Sequence, residues 1–135
     1  MVKMDDPSVR RTLTQLLRHE DASVRHAALA GLKTPGARAS AADFLEVLRS
    51  ADPGLRCAAT YALAEIGEGG PEAIGPLREA LGAKEPFLRK AAALALGEMG
   101  PAARQAKPDL ERTGRDRYPS VRAAAEKALR QLNAN

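Results

Sequence analysis

Residues 52–67 decide the fold, and they read Asp-Pro-Gly-Leu-Arg-Cys-Ala-Ala-Thr-Tyr-Ala-Leu-Ala-Glu-Ile-Gly. An acid followed by proline opens the stretch and a glycine closes it, which is typical of one complete helix. Between these signals the apolar residues recur with the spacing of a single buried stripe: Leu55, Ala58, Ala59, Ala62, Leu63 and Ile66. The stretch therefore predicts an amphipathic helix with one face in a core.

The same template recurs along the chain, and an arginine marks each copy. The copies align on Arg25, Arg56, Arg89 and Arg122, at spacings of 31, 33 and 33 residues. Each arginine follows a valine or leucine, and an alanine and a leucine stand three and seven positions after it. Eleven positions after it comes a residue that tolerates the left-handed conformation at a helix end: Gly36, Gly67, Gly100 or Asn133. This recurrence predicts a repeat architecture.

A second, less regular helix precedes each template helix. Its predicted ranges are 7–18, 39–49, 71–81 and 101–113. The last range contains Pro108, and a proline inside a helix costs roughly 3 kcal/mol, so we expect a kink or a late start there. The sequence predicts about eight helices in four units, over residues 5–36, 37–68, 69–100 and 101–135.

Four motifs carry a family resemblance: Asp21-Ala-Ser-Val-Arg25 with Ala28, Asp52-Pro-Gly-Leu-Arg56 with Ala59, Glu85-Pro-Phe-Leu-Arg89 with Ala92, and Pro119-Ser-Val-Arg122 with Ala125. The pattern resembles the HEAT repeat, in particular the short bacterial variety also called PBS-lyase-like. This resemblance implies an all-α fold, an armadillo-like α-solenoid of four HEAT-like helical hairpins that forms one domain over residues 1–135. It also implies a non-catalytic scaffold or adaptor for protein-protein interaction.

Composition and charge limit the other classes of protein. The chain has 44% hydrophobic residues but no run of the ~20 apolar residues that a membrane span needs. Its single cysteine, Cys57, permits no internal disulfide, and the first residues lack the apolar region of a secretory signal. We therefore expect a cytoplasmic monomer with no membrane span.

The template arginines are expected to join neighbouring units. At 100° per residue, each arginine lies roughly 90° from the apolar stripe and points sideways along the array. An acid stands four positions earlier in three copies, near the helix N-terminus, and Tyr118 replaces it in the fourth. The predicted structural ladder comprises Asp21, Arg25, Asp52, Arg56, Glu85, Arg89 and Arg122. A row of ligand-binding arginines is the alternative, and Arg122 is expected to lack a local partner.

The positions one, five and eight after each arginine face away from the core. We call them the second-helix face: His26, Ala30, Lys33, Cys57, Tyr61, Ala64, Lys90, Leu94, Gly97, Ala123, Lys127 and Arg130. The resemblance implies that second helices line the concave side of the solenoid. The predicted protein-binding residues are His26, Lys33, Cys57, Tyr61, Ala64, Lys90, Leu94 and Lys127. The alternative is that Tyr61 and Leu94 pack between repeats.

The net charge of +4 resides entirely in residues 101–135, since residues 1–100 carry equal numbers of basic and acidic residues. The basic cluster there comprises Arg104, Lys107, Arg112, Arg115 and Arg117. It predicts either a solvated end of the solenoid or a contact with an acidic protein, nucleic acid or an anionic surface. Nucleic acid is a possible partner of this chain but not the favoured one.

The chain has few residues in patterns that could catalyse a reaction or bind a metal. The chain has two histidines, His19 and His26, and neither forms a catalytic or zinc-binding pattern. The pair His19-Glu20 is similar to one of the several His-Glu pairs that hold two irons in the deoxyhypusine hydroxylases, but the other turns lack such pairs. We therefore expect no enzyme, no cofactor, no metal and no catalytic residue. An accessory subunit of a bilin lyase-like complex is a further alternative.

Overall fold

Helices account for most of the residues that the structure, a computed structural model, describes. These residues are 7–34, 41–66 and 70–134, and the side chains of 41, 64–66, 70 and 71 lie outside the description. The described α-helices are α1 Pro7–Leu16, α2 Ala22–Leu32, α3 Ala41–Val47, α4 Pro53–Ile66, α5 Gly70–Ala80, α6 Pro86–Met99, α7 Lys107–Thr113 and α8 Pro119–Leu132. A 3-10 segment, Gly100–Ala106, joins α6 to α7. The predicted unit ends at 36 and 68 fall outside the described residues.

The second helices α2, α4, α6 and α8 begin as the sequence predicts. Asp21 caps α2, because its Oδ1 accepts a hydrogen bond from the backbone N–H of Ser23 at 2.8 Å. Proline occupies the first turn of α4, α6 and α8, where its missing N–H costs little. Gly100 closes α6 with a φ of +62°, as predicted, whereas Asn133 ends α8 with a φ of −89°.

The first helices α1, α3 and α5 end one or two residues earlier than predicted, because each passes into a tightened turn. In the turn after α3, the backbone N–H of Ser50 donates to the carbonyl of Val47 at 2.9 Å, which is a 3-10 hydrogen bond. Equivalent bonds follow α1, α5 and α7, for example from His19 to Leu16 at 3.0 Å. Each tightened turn leads into the second helix that follows it in the chain.

The predicted late start in the last unit is confirmed. Ala103 has a non-helical backbone, with φ −98° and ψ 21°, and interrupts the helix predicted over 101–113. Pro108 therefore stands in the first turn of α7, where a proline is tolerated. By contrast, Pro76 lies inside α5.

The helices form two layers around one core. The second helices pack against one another in chain order, and the first helices form the other layer. The core between the layers contains most of the predicted apolar stripe: Leu55, Ala59, Ala62 and Leu63 of α4 are buried, and Ala58 is partly buried. The side chain of Ile66, the last member of that stripe, lies outside the described residues. The all-α solenoid predicted from the repeats is thus confirmed. None of the described helices is long and apolar enough to cross a membrane.

Candidate functional site

The template arginines contact carboxylates of the following unit. Arg25 Nη2 donates to Asp52 Oδ2 at 2.9 Å, and Arg56 Nη2 lies 3.5 Å from Glu85 Oε1. Arg89 makes two bonds to Asp116, from Nε at 2.7 Å and from Nη2 at 3.1 Å. The last pair is the most buried, with the Arg89 and Asp116 side chains 15% and 9% exposed.

Two of these arginines, Arg25 and Arg89, also donate to carbonyls in the turn of their own unit. Arg25 Nη1 donates to the carbonyl oxygens of His19 and Glu20 at 2.9 and 3.0 Å. Arg89 Nη1 makes the equivalent bonds to Ala83 and Lys84 at 2.8 and 2.9 Å. Each of these guanidinium groups therefore ties one interhelix turn to the next unit, and most of its donors are already used.

The contact of Arg89 with Asp116 is one that sequence reasoning missed. In the template alignment an acid is expected four positions before Arg122, and the chain has Tyr118 there. The acid that contacts Arg89 is Asp116, two positions before Tyr118, in the turn between α7 and α8. The expectation that Arg122 lacks a local partner is wrong, because its Nη1 donates to the carbonyl of Asp116 at 2.7 Å. Asp116 is an acid in the turn between α7 and α8, and that placement could have identified it.

Three aspartates at the turns are held in their charged form. The hydrogen bond from Arg25 lowers the pKa of Asp52, and the hydrogen bond from Arg89 lowers the pKa of Asp116. The pKa of Asp21 is lowered chiefly by the hydroxyl and backbone N–H of Ser23. Asp21, Asp52 and Asp116 therefore remain ionised at neutral pH.

The second-helix face is apolar near its middle and basic at α6 and α8. Tyr61 and Cys57 of α4 and Leu94 of α6 are half-buried, and Leu94 packs against the core. Lys90 is half-buried, whereas Lys33 and Lys127 are exposed. The Ala64 side chain lies outside the described residues.

His26 is a residue of the second-helix face that also lies close to the arginine–carboxylate ladder. Its side chain is 45% exposed, and its Nε2 lies 3.4 Å from Asp52 Oδ2, the oxygen that also accepts from Arg25. Two basic side chains therefore lie near the same oxygen of Asp52, and its other oxygen accepts from the backbone N–H of Leu55.

Cys57 and Tyr61 are unsuited to nucleophilic chemistry. Burial raises the pKa of the Cys57 thiol, so it stays protonated at neutral pH. Burial, and next the neighbouring Cys57, raise the pKa of the Tyr61 hydroxyl. Both side chains present weakly polar surface to solvent.

Gly97 does not lie on the open surface where the helical register placed it. It is buried, and a Cβ built there would collide with Gln131 Oε1 and lie 3.0 Å from Ala128 Cα. Helices α6 and α8 therefore approach each other closely through small residues. The second helices α4, α6 and α8 pack more extensively than the first helices do. In a curved stack of two layers, the layer with the closer helices lies on the inside, so this geometry favours a concave second-helix face.

The basic cluster is divided among different contacts. Arg112 is paired with Asp109 of its own helix, and the Arg117 guanidinium lies 5.5 Å from the centre of the Tyr118 ring. Arg89 lies 5.9 Å from the same ring, which is 42% exposed. The remaining members are exposed: Arg104, Lys107 and Arg115.

A second set of ion pairs, also missed from the sequence, joins the first helices. Arg18, just after α1, pairs with Glu46 of α3, and Arg78 of α5 donates from Nε to Asp109 Oδ2 of α7 at 2.5 Å. These pairs are 28 and 31 residues apart, close to the repeat length, and that spacing was the available signal.

A cleft of about 600 Å³ lies between the first two units, at the turns. The pairs of Arg18 with Glu46 and of Arg25 with Asp52 line it, so its charges are largely matched within the chain. His19 Nδ1 accepts from the backbone N–H of Asp21 at 3.0 Å, so the His-Glu pair serves the turn. The described residues contain no group of His, Cys, Asp and Glu side chains that could hold a metal ion.

A family model for HEAT repeats matches residues 41–130. The chain belongs to the HEAT repeat family. No significant match was found among curated protein sequences.

Two solved structures resemble this HEAT repeat chain. One is an engineered protein, with 24% identity over 92% of this chain and a TM-score of 0.69. The other is a designed armadillo repeat protein in complex with the peptide (KR)4, with 21% identity over 90% of this chain and a TM-score of 0.73. The HEAT repeat chain spans 62% and 63% of the length of these two proteins. At these identities the likeness supports the fold alone.

Proposed function

We propose that this HEAT repeat chain is a non-catalytic scaffold that binds a protein or a peptide on its second-helix face. The observation that carries the proposal is the half-buried apolar patch of Tyr61, Cys57 and Leu94 on that face. An aromatic anchor in an apolar patch with a polar rim is the common composition of a binding hot spot. HEAT repeats are typically interaction modules, which agrees with this assignment.

The remaining polar features of the chain support the same proposal. Arg25 and Arg89 use most of their donors within the fold, which leaves them few for a ligand. The partly buried Cys57 thiol and Tyr61 hydroxyl both have raised pKa values, which disfavours their use as catalytic nucleophiles. The similarity to a designed armadillo repeat protein in complex with a peptide is consistent with peptide binding by this architecture.

A selection from a displayed library of random peptides tests the proposal. We expect peptides captured by the immobilised chain to lose binding to Tyr61→Ala, because the aromatic anchor is removed. Tyr118→Ala is the matched control. Tyr118 is not part of the second-helix face, and its ring lies near the guanidinium groups of Arg89 and Arg117. Circular dichroism checks that both variants keep their helices. Captured peptides that bind Tyr61→Ala as well as the wild type would contradict the proposal.

Nucleic-acid binding by the basic cluster is the second candidate. It is weaker because Arg112 is paired with Asp109 and Arg117 stacks on Tyr118. A nucleic-acid complex would weaken steeply as the salt concentration rises. A gel-shift titration at low salt therefore distinguishes the two candidates, and we expect no shift.

A further inference from the structure

The second-helix face has basic residues at several of its positions and an acid at none of them. Of its twelve positions, none is Asp or Glu, and the charged or titratable basic ones are His26, Lys33, Lys90, Lys127 and Arg130. This asymmetry is local, because residues 1–100 carry no net charge.

Three of these basic residues have no ion pair within the part of the chain that the structure describes: Lys90, Lys127 and Arg130. They differ in this respect from the ladder arginines Arg25, Arg56 and Arg89, which contact carboxylates of the next unit. They lie on α6 and α8, the helices that pack closely through Gly97 and Ala128. These three positive charges therefore lie on helices that pack closely against each other.

The acids of α6 and α8 lie beside this face. Glu98 stands one position beyond the face residue Gly97 and interacts with Gln131 at 3.4 Å. Glu126 stands four positions after Arg122. The same position is buried in the other second helices, where it holds Leu29, Thr60 and Ala93. Glu126 is exposed, and within the described part of the chain it forms no ion pair with Lys127 or Arg130.

The apolar and basic parts of the face are neighbours. Tyr61 of α4 and Leu94 of α6 form the apolar part, and Lys90 and Lys127 border it on α6 and α8. Packed helices lie roughly 8–10 Å apart, which an extended peptide spans in about three residues. A peptide that runs across the helices from α4 towards α8 would contact the apolar part first. About three residues further along the peptide it would contact a basic side chain of the face.

We propose that the partner is an extended acidic peptide segment. One apolar side chain of this segment occupies the patch of Tyr61, Cys57 and Leu94, and its carboxylates face Lys90, Lys127 and Arg130. This inference rests on the proposed function and adds the chemistry of the partner. It also predicts that a basic peptide such as (KR)4 does not bind this face.

Fluorescence polarisation with labelled peptides tests the inference. The probes are a Glu-rich octapeptide with one central Leu, the same peptide with Ser in place of Leu, and a Lys-rich octapeptide with the central Leu. We expect the first to bind, the second to bind more weakly, and the third not to bind. The double variant Lys90→Glu with Lys127→Glu should weaken binding of the first roughly tenfold at low salt, because attraction becomes repulsion. It should also gain affinity for the Lys-rich peptide.

The control is Arg11→Glu with Lys84→Glu, which reverses two exposed charges outside both the face and the basic cluster and gives the same net charge as the first double variant. We expect it to bind the acidic peptide within about twofold of the wild type, since surface charges at a distance are screened. Thermal melting checks that both double variants fold. Equal weakening by the two double variants would contradict the inference, because it would reflect net charge alone.

The failure of the inference can be told from the failure of the proposed function. If the peptides that require Tyr61 prove neutral or basic, the face binds peptides but the acidic partner is wrong. If the peptides selected from the library bind independently of Tyr61, Lys90 and Lys127, both proposals are wrong. A chain that sediments as a dimer through this face, or an oligonucleotide that displaces the acidic peptide from it, would also overturn the inference.

Discussion

The four template arginines are equivalent in sequence but unequal in their contacts. Arg89 binds Asp116 through two atoms, at 2.7 and 3.1 Å, whereas Arg56 makes one contact with Glu85 at 3.5 Å. Among the residues that the structure describes, the Nε atoms of Arg25 and Arg56 are buried and have no hydrogen-bond partner. Because charge-assisted bonds weaken steeply with distance and angle, the third junction is held more firmly than the second.

Removal of the Asp116 charge should therefore destabilise the fold. We expect Asp116→Asn to lower the free energy of unfolding at pH 7 by about 1–3 kcal/mol, since Arg89 loses a partly buried ionic partner. Glu85→Gln is the matched comparison and should cost less, because its contact with Arg56 is longer. Urea denaturation measures both. A larger loss for Glu85→Gln would contradict this ranking of the junctions.

The loss of stability caused by Asp116→Asn should become smaller as the pH falls. The pKa of Asp116 is lower in the folded chain than the usual value of about 3.9, so the folded state favours the ionised form. The stabilisation is complete above the usual value and is lost as the pH falls through the lowered folded value. Wild type and Asp116→Asn should therefore converge in stability below about pH 4. A difference that stays constant down to pH 2 would show that Asp116 acts only through packing.

The residues of the ladder could be predicted from the sequence only where the template is kept. The pairs of Arg25 with Asp52 and of Arg56 with Glu85 follow the aligned columns. The partner of Arg89 does not, because Tyr118 occupies the aligned position and Asp116 reaches the same guanidinium from the turn. Helical periodicity gives the direction of a side chain on a helix, but it says nothing about a residue in a turn.

At the scale of helices, the packing of α6 on α8 depends on one small residue. A Cβ at Gly97 would meet the backbone of α8 at Ala128 Cα, 3.0 Å away, as well as the movable end of Gln131. Alanine favours a helix over glycine by about 1 kcal/mol, so the sign of the substitution depends on whether α8 can move.

We expect Gly97→Ala to be destabilising, by about 1–3 kcal/mol, because a buried backbone cannot yield without separating the helices. Gly31→Ala is the matched control. Its Cβ would meet the flexible tip of Leu13 at 3.0 Å, so helix propensity should offset most of the cost. Thermal melts of both variants measure the difference. A Gly97→Ala variant that is as stable as Gly31→Ala would show that the junction is loosely packed.

The sequence predicted the helices better than their ends. The proline and acid signals gave the starts of α2, α4, α6 and α8, and Pro108 gave the late start of α7. The early ends of α1 and α3 were missed, because a tightened 3-10 turn has no strong sequence signal. Gly97 was assigned to the surface because the helical register cannot detect a neighbour that covers it.

At the scale of the molecule, the solenoid is held unevenly along its length. None of the residues of α1 is fully buried, whereas seven residues of α6 are: Leu88, Ala91, Ala92, Ala93, Ala95, Leu96 and Gly97. Helix α2 packs less extensively on α4 than α4 does on α6 or α6 on α8. In a repeat array each unit contacts only its neighbours, so stability is a sum of local terms and can vary along the chain.

Native-state hydrogen exchange should reveal this gradient. We expect the amides of α6 and α8 to exchange only through global unfolding, because their junction combines close packing with the bond between Arg89 and Asp116. The amides of α1 should exchange fastest among the eight described helices, since opening them exposes little buried apolar surface. Asp116→Asn should then lower protection in α6 and α8 and leave α1 unchanged. Uniform protection in all helices would instead show that the array unfolds as one cooperative unit, and the local contacts would then have no separate effect.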